Sequence, residues 1–230
     1  MKESMERTAL LLGEGACEKL QKSLVILAGL GGVGGHCAEA LARAGVGQLH
    51  IVDADVVTES NLNRQLVATK ATVGQKKTAA MAERLAAVSD CLVTSSDTFL
   101  TPETVDGALP EGADFLIDAI DSVPGKLALI RFAHEHNIPM VSCMGAGNRL
   151  DPERFCIRDL FDTEGDPLAR KMRHEVRKLG VTALPVVYST EPAHAAPGQK
   201  VIGSLAPVTA TAGLLAAAYA IRVLVGAEEG

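Results

Sequence analysis

The chain has 230 residues, of which 47% are hydrophobic and 22% charged, the proportions of a soluble globular protein long enough to bury a core without disulfide or metal staples. A net charge of −6 argues against a surface that is basic throughout, so any RNA contact needs a local basic patch. Aromatics make up 3% and Trp is absent, which disfavours stacked aromatic platforms for bases and leaves Ala, Val, Leu and Ile to build the core.

The opening MKESMERTAL lacks the apolar run of a signal peptide. Leu24 to Ala28 (LVILA) is continuously apolar and ends in a Gly-rich turn, as strands buried on both faces of a parallel sheet do. Helical sequence follows from Gly34 to Ala44, then a strand from Gln48 to Val52 that ends at Asp53. Gln75 to Val88 reads as a helix, Cys91 to Ser95 as a strand, Pro102 to Leu109 as a short helix and Asp114 to Ala119 as a strand. Pro124 to His136 is a helix and Pro139 to Cys143 a strand. This alternation predicts the α/β class, with a Rossmann-like, doubly wound, mainly parallel sheet.

After Gly147 the rhythm changes. Asp151 to Thr182 is rich in charge and holds one amphipathic helix, from Pro167 to Leu179. Pro185 to Ser189 reads as a strand, and Thr190 to Gln199, with two Pro and one Gly, as a loop. Pro207 to Val225 is apolar, but Thr209, Thr211 and Arg222 interrupt it, and its small residues suit a buried helix rather than a membrane span. The expectation is a single domain over 1–230. It has a nucleotide-binding core over 1–147, a C-terminal substrate-binding extension over 148–206 and a closing helix over 207–225.

The five cysteines, Cys17, Cys37, Cys91, Cys143 and Cys156, are odd in number, widely spaced and free of any Cys-x-x-Cys. A disulfide framework and a four-thiolate zinc site are therefore disfavoured, and a cytoplasmic location is expected. Cys143 ends an apolar run, so packing is its expected role. The histidines have no metal-ligand company.

Gly29-Leu30-Gly31-Gly32-Val33-Gly34 joins a strand to a helix. Glycines there permit a tight turn and close backbone approach to a phosphate, and the helix N-terminus adds free N–H donors. Asp53 ends the second strand, where an acid can bond ribose hydroxyls. Together they indicate a nucleotide, but an NAD-dependent dehydrogenase would share them all.

The next residues separate the cases. Asn61 and Arg64 share a face if they lie on one helical turn. Lys77 stands near the start of the next helix, and Asp121 just past the fourth strand. In an open α/β sheet the carboxyl ends of the strands meet one crevice. Arg64 and Lys77 there would neutralise phosphate charge, and Asp121 would hold Mg²⁺. Singly, each has an ordinary reading: Arg64 as a surface ion-pair partner, Lys77 as a solvated helix residue, Asp121 as a helix cap.

GLGGVG, GVGQLHIVDADVV, SNLNRQ, VGQKK and DAIDS resemble, in order and spacing, the ubiquitin-activating-like superfamily, which includes the molybdopterin and thiamine adenylyltransferases. The resemblance implies that Gly32 and Asp53 contact adenosine, that Asn61, Arg64 and Lys77 hold the triphosphate of ATP, and that Asp121 holds Mg²⁺. Its shared reaction is attack of a carboxylate on the α-phosphate of ATP to give an acyl-adenylate and pyrophosphate. Relatives pair as homodimers, and many donate an N-terminal Arg across the dimer, for which Arg7 is the nearest candidate.

The zinc-binding Cys-x-x-Cys pairs of sulfur-carrier activators are missing, and no Cys follows Cys156. IDAIDSVPGKLALI, MGAGNRLDPERFCIRDL, DPLARKMRHEVRKLGV and VVYSTE instead resemble the tRNA threonylcarbamoyladenosine dehydratases. That resemblance implies ATP-driven cyclisation of a modified adenosine in tRNA, with net loss of water and no nucleophilic side chain. It leaves open a monovalent cation and a sulfur-relay protein partner. KVIGSLAPVTAT lacks the Cys that some members carry ahead of the last helix.

LARKMRHEVRKLG (Leu168 to Gly180) is strongly basic. Arg170, Arg173 and Arg177 recur at helical spacing beside Lys171, a stripe that can follow an RNA backbone or be a solvated face balanced by nearby acids. Three competing functions stay open at this point: an adenylyltransferase for a small Gly-Gly-tailed sulfur-carrier protein, a nucleotide-binding partner without turnover, and an NAD oxidoreductase.

Overall fold

A computed structural model describes residues 2–194 and 201–227. Two short helices, α1 (Glu6–Leu12) and α2 (Glu14–Lys22), precede the first strand and were not apparent in the sequence pattern. Then come β1 (Leu24–Ala28), α3 (Gly34–Ala44), β2 (Gln48–Val52), α4 (Lys77–Ala86), β3 (Leu92–Ser96), α5 (Val105–Ala108), β4 (Phe115–Asp118), α6 (Val123–Glu135) and β5 (Met140–Cys143). The second half contributes β6 (Phe155–Asp159), α7 (Pro167–Lys178), β7 (Pro185–Ser189) and α8 (Ala206–Val225). Part of the loop expected over Thr190 to Gln199 lies outside the described residues.

The seven strands form one sheet in the order β3-β2-β1-β4-β5-β7-β6. All pairings are parallel except β6 with β7. Strand β6 was missed in the sequence because its run, FCIRD, carries two charges and lies at an edge. Its partner in the sheet is β7, with which it pairs antiparallel, Ile157 opposite Val187.

Successive residues of the strands point to opposite faces. Val25 and Leu27 join the layer of α3, α4 and α8, whereas Ile26 and Ala28 join the layer of α5, α6 and α7. Strands buried on both sides are what the unbroken LVILA run required. Helix α3 stops at Gly45, whose φ of 99° is a left-handed cap open to glycine at little cost.

Helix α8 is long and apolar enough to cross a membrane by length and composition, but Val208, Ala212, Ala216, Ala217 and Ala220 are spent in the core beside α3. The helices cross at Gly213, where an added Cβ would stand 2.1 Å from the carbonyl oxygen of Val33. Small residues along α8 therefore permit an approach that larger ones would block.

Candidate active site

The strand order reverses between β1 and β4, and ligands of open α/β sheets bind outside the carboxyl ends at such a switch point. A cleft of about 550 Å³ lies there. Gly29, Gly31, Gly32, Asp53, Asn61, Arg64, Lys77 and Asp121 all line it. A larger cleft of about 780 Å³, at the amino ends of β2 and β3, is lined by Lys2, Cys17, Arg43 and Asp90 among others. It has neither the Gly-rich turn nor the strand-end residues, so its size does not decide the matter.

The glycines of the turn are needed for different reasons. A Cβ on Gly34 would lie 1.8 Å from the carbonyl oxygen of Gly29, and one on Gly29, at φ 93°, 2.7 Å from that of Ala119. Gly32 faces Thr209 of α8, whose Oγ1 would be 2.8 Å from the added atom. Gly31 is the exception. Its nearest neighbour would be Gln65 Nε2 at 3.9 Å, so the protein itself leaves room there. Gly34 does not line the cleft; it closes the turn from behind.

Asp53 secures that turn. Its Oδ2 accepts from the Leu30 amide at 2.7 Å and its Oδ1 from the Asp55 amide at 2.9 Å. Lys77 is buried, with Nζ 2.7 Å from Asp55 Oδ2 and 3.7 Å from Asp53 Oδ1. It is therefore not the solvated helix residue that its sequence position allowed. The Asp55 carboxylate is largely exposed.

Asn61 ends a 3₁₀ turn over Glu59–Asn61 in a capping box: its Oδ1 accepts from the Thr58 amide at 3.1 Å. Asn61 and Arg64 thus reach the cleft from a turn rather than from one face of an α-helix. Arg64 Nη1 donates to Ser60 O and Asn63 Oδ1, both at 2.9 Å. No carboxylate pairs with its guanidinium among the described residues. Asp121 is exposed in the cleft and has no ion-pair partner among the described residues. The cap of α6 is Ser122, whose Oγ accepts from Gly125 N at 3.4 Å, so the helix does not use Asp121.

Residues the sequence reading missed complete the walls: Thr98, Phe99 and Leu100 beyond β3, Gln65, and Thr209 from α8. The first three were reachable by extending the strand-end rule to β3. Gln65 Oε1 is buried without a hydrogen-bond partner. The cleft thus has an apolar side, from Val52, Phe99, Leu100 and Ile120, and a cationic side from Arg64 and Lys77. Among the described residues no three His, Cys, Asp or Glu side chains converge as a metal cage. Mg²⁺ commonly takes one or two carboxylates plus substrate phosphates, so a single free carboxylate in a cleft with two cations is a donor set that could share such an ion with a bound ligand.

The basic helix is less uniform than its spacing implied. Arg170 and Lys171 are exposed. Arg173 turns back, its Nη1 donating to Thr163 O at 2.7 Å and Thr163 Oγ1 at 2.5 Å. The Arg177 guanidinium stands 5.1 Å from the centre of the Phe161 ring. The cause is that α7 buries Ala169, Met172 and Val176, and arginines flanking that face reach the segment packed beneath it. Arg7 lies exposed on α1 and does not line its own chain's cleft. Cys143 is buried, and desolvation pushes its thiol up to about 12, despite the nearby Lys126 ammonium, so it is not poised as a nucleophile.

Comparison with known proteins bears on this geometry. The family model described as the ThiF family matches residues 5–230. The chain is 40% identical over 193 residues to a tRNA threonylcarbamoyladenosine dehydratase of Bacillus subtilis, covering 83% of this chain and 76% of that protein. It is 31% identical over 209 residues to the molybdopterin-synthase adenylyltransferase of Escherichia coli, covering 91% and 76%. Among solved structures, the Escherichia coli tRNA N6-threonylcarbamoyladenosine dehydratase in complex with ATP superimposes with a TM-score of 0.91 at 36% identity, over 98% of this chain and 95% of that one.

Proposed function

We infer the reaction from one premise: the chain belongs to the ThiF family and, within it, to the tRNA threonylcarbamoyladenosine dehydratases. It is an ATP-dependent enzyme that dehydrates threonylcarbamoyladenosine in tRNA to its cyclic form. The observation that carries this reading is the switch-point cleft, where a Gly-rich turn, two cations and a carboxylate spared from structural duty meet in a chain that matches an ATP-bound relative along nearly its whole length.

Asp53 bonds the ribose, and the amides of the Gly-rich turn approach the phosphates. Arg64, Lys77 and Asn61 hold the triphosphate. Asp121 holds Mg²⁺, which when bound would neutralise charge on the phosphates. The threonyl carboxylate attacks the α-phosphorus, and the bond to pyrophosphate breaks. A nitrogen or oxygen of the carbamoyl unit then attacks the acyl carbon, AMP leaves with the bonding pair, and a five-membered ring closes. One water is lost overall, its oxygen departing on AMP. The second nucleophile belongs to the substrate, already tethered to its target. Burial raises the Cys143 thiol pKa, which disfavours that side chain as a nucleophile.

We place this activity in one domain over 1–230, with residues 148–206 facing tRNA, in a cytoplasmic homodimer. Free cysteines and the exposed Leu10, Leu11 and Leu214 support that placement. The direct test is to incubate the protein with threonylcarbamoyl-modified tRNA and ATP and weigh the nucleosides. Loss of one water from the modified nucleoside is expected. An unchanged nucleoside, with AMP appearing on the C-terminus of a small Gly-Gly carrier protein instead, would overturn the reading.

For the RNA surface, replacing Arg170, Lys171 and Arg177 together with Glu should weaken tRNA binding. The slope of log affinity against log salt should become shallower by about two to three units, at about 0.7–0.9 per phosphate contact. ATP binding should not change, since its cleft is formed elsewhere. An unaltered salt slope would leave α7 as a solvated face.

A further inference from the structure

We propose that the buried Lys126–Asp118 pair, with Ser142, is a positioning device that sets the loop carrying Asp121. The proposal rests on the reading that Asp121 holds the metal. Asp118 is the last residue of β4, and neither it nor Lys126 is exposed at all. Lys126 Nζ lies 3.1 Å and 3.0 Å from the two carboxylate oxygens and donates to Cys143 O at 2.7 Å. Ser142 Oγ donates to Asp118 Oδ2 at 2.5 Å, and the Ile120 amide donates to Asp118 Oδ1 at 3.2 Å.

Stability does not account for this pair. Well-packed apolar side chains often serve as well as a buried ion pair or better, because desolvation offsets the attraction. The surroundings are apolar, with Ala128, Leu129 and Leu116 in the same layer. Nor is the pair a ligand site: the ammonium is fully engaged within the protein, and both carboxylate oxygens already accept bonds. Its location is the informative feature. Asp118 stands in register with Ala28 of β1 and Ser142 of β5, at the switch point. Ala119 follows, its amide bonded to Ala28 O and its carbonyl close to Gly29. The Asp118–Ile120 contact then fixes the step before Asp121, whose own carboxylate has no tie to the described residues. Lys126 draws the end of β5 into the same arrangement.

The test compares Asp118→Leu/Lys126→Met, Ser142→Ala, Asp121→Ala and wild type by melting curve, amide exchange at Ile120 in metal-free enzyme, Mn²⁺ affinity with a non-hydrolysable ATP analogue read by paramagnetic resonance, and adenylation kcat. The double variant should melt near wild type, exchange Ile120 about tenfold faster, bind Mn²⁺ more weakly and lose about 10–100-fold in kcat, the scale of a misplacement near 1 Å. Ser142→Ala should shift all three in the same direction by less. Wild-type exchange and Mn²⁺ affinity in the double variant would overturn the proposal, as would the same result in Ser142→Ala should the double variant not fold. Asp121→Ala separates the premise: if it binds Mn²⁺ as wild type does, the metal assignment fails, while Ile120 exchange still judges the positioning claim.

Discussion

Arg64→Ala and Asp121→Ala are each expected to slow adenylate formation by about 10²–10³-fold, the usual cost of one electrostatic contact to charge that develops in a transition state. Neither side chain is committed elsewhere. Arg64 makes two bonds through Nη1 to its own turn and faces no carboxylate among the described residues. Asp121 neither caps α6, a task that falls to Ser122, nor joins an ion pair among the described residues. The melting temperature of both variants should therefore stay near wild type, unlike that of a single Lys126 substitution, which would leave the Asp118 charge buried and unpaired. ATP–pyrophosphate exchange measures the step directly. Near-normal exchange in either folded variant would remove that residue from the phosphate site.

The Gly-rich turn yields the second large effect, and its two outcomes differ in kind. Gly34→Ala is expected to prevent stable folding, because the new Cβ would fall 1.8 Å from the Gly29 carbonyl oxygen. That neighbour is backbone at the hinge of strand and helix, so relief requires moving β1 against α3. Overpacking of a rigid site costs about 1–3 kcal/mol or more, a large share of the stability of an ordinary domain. Gly31→Ala should fold normally, since beyond its own chain neighbours no atom comes closer than 3.9 Å to the added carbon. The space belongs to the cleft, and a methyl group there would hold the backbone away from a phosphate. Loss of one charge-assisted hydrogen bond, about 1.5–3 kcal/mol, corresponds to roughly 10–100-fold weaker ATP binding. Calorimetry with ATP and a melting curve distinguish the two cases. A Gly31→Ala protein that binds ATP like wild type would show that the turn serves packing alone.

Much of this was legible in the chain itself. Unbroken apolar runs such as LVILA identify strands covered on both faces, and their alternation with helical sequence leads to a parallel, doubly wound sheet. In that architecture all carboxyl ends of the parallel strands face one edge. A residue's place just after a strand therefore locates it: Gly29 to Gly32 after β1, Asp53 after β2 and Asp121 after β4 meet in one cleft, although they are far apart in sequence. Local periodicity and strand ends carry that information without knowledge of packing.

Other features depended on contacts that no local pattern encodes. Strand β6 exists because FCIRD finds β7 in antiparallel register. Thr209 reaches the Gly-rich turn because α8 crosses α3 at Gly213. Arg173 leaves the expected stripe because Thr163 packs under α7 and takes its guanidinium. Lys126, which on sequence is one more helical lysine, is buried against Asp118 and Ser142 because α6 settles over the ends of β4 and β5. A lysine's intrinsic preference is for water, and only the tertiary arrangement supplies the carboxylate, hydroxyl and carbonyl that together replace it.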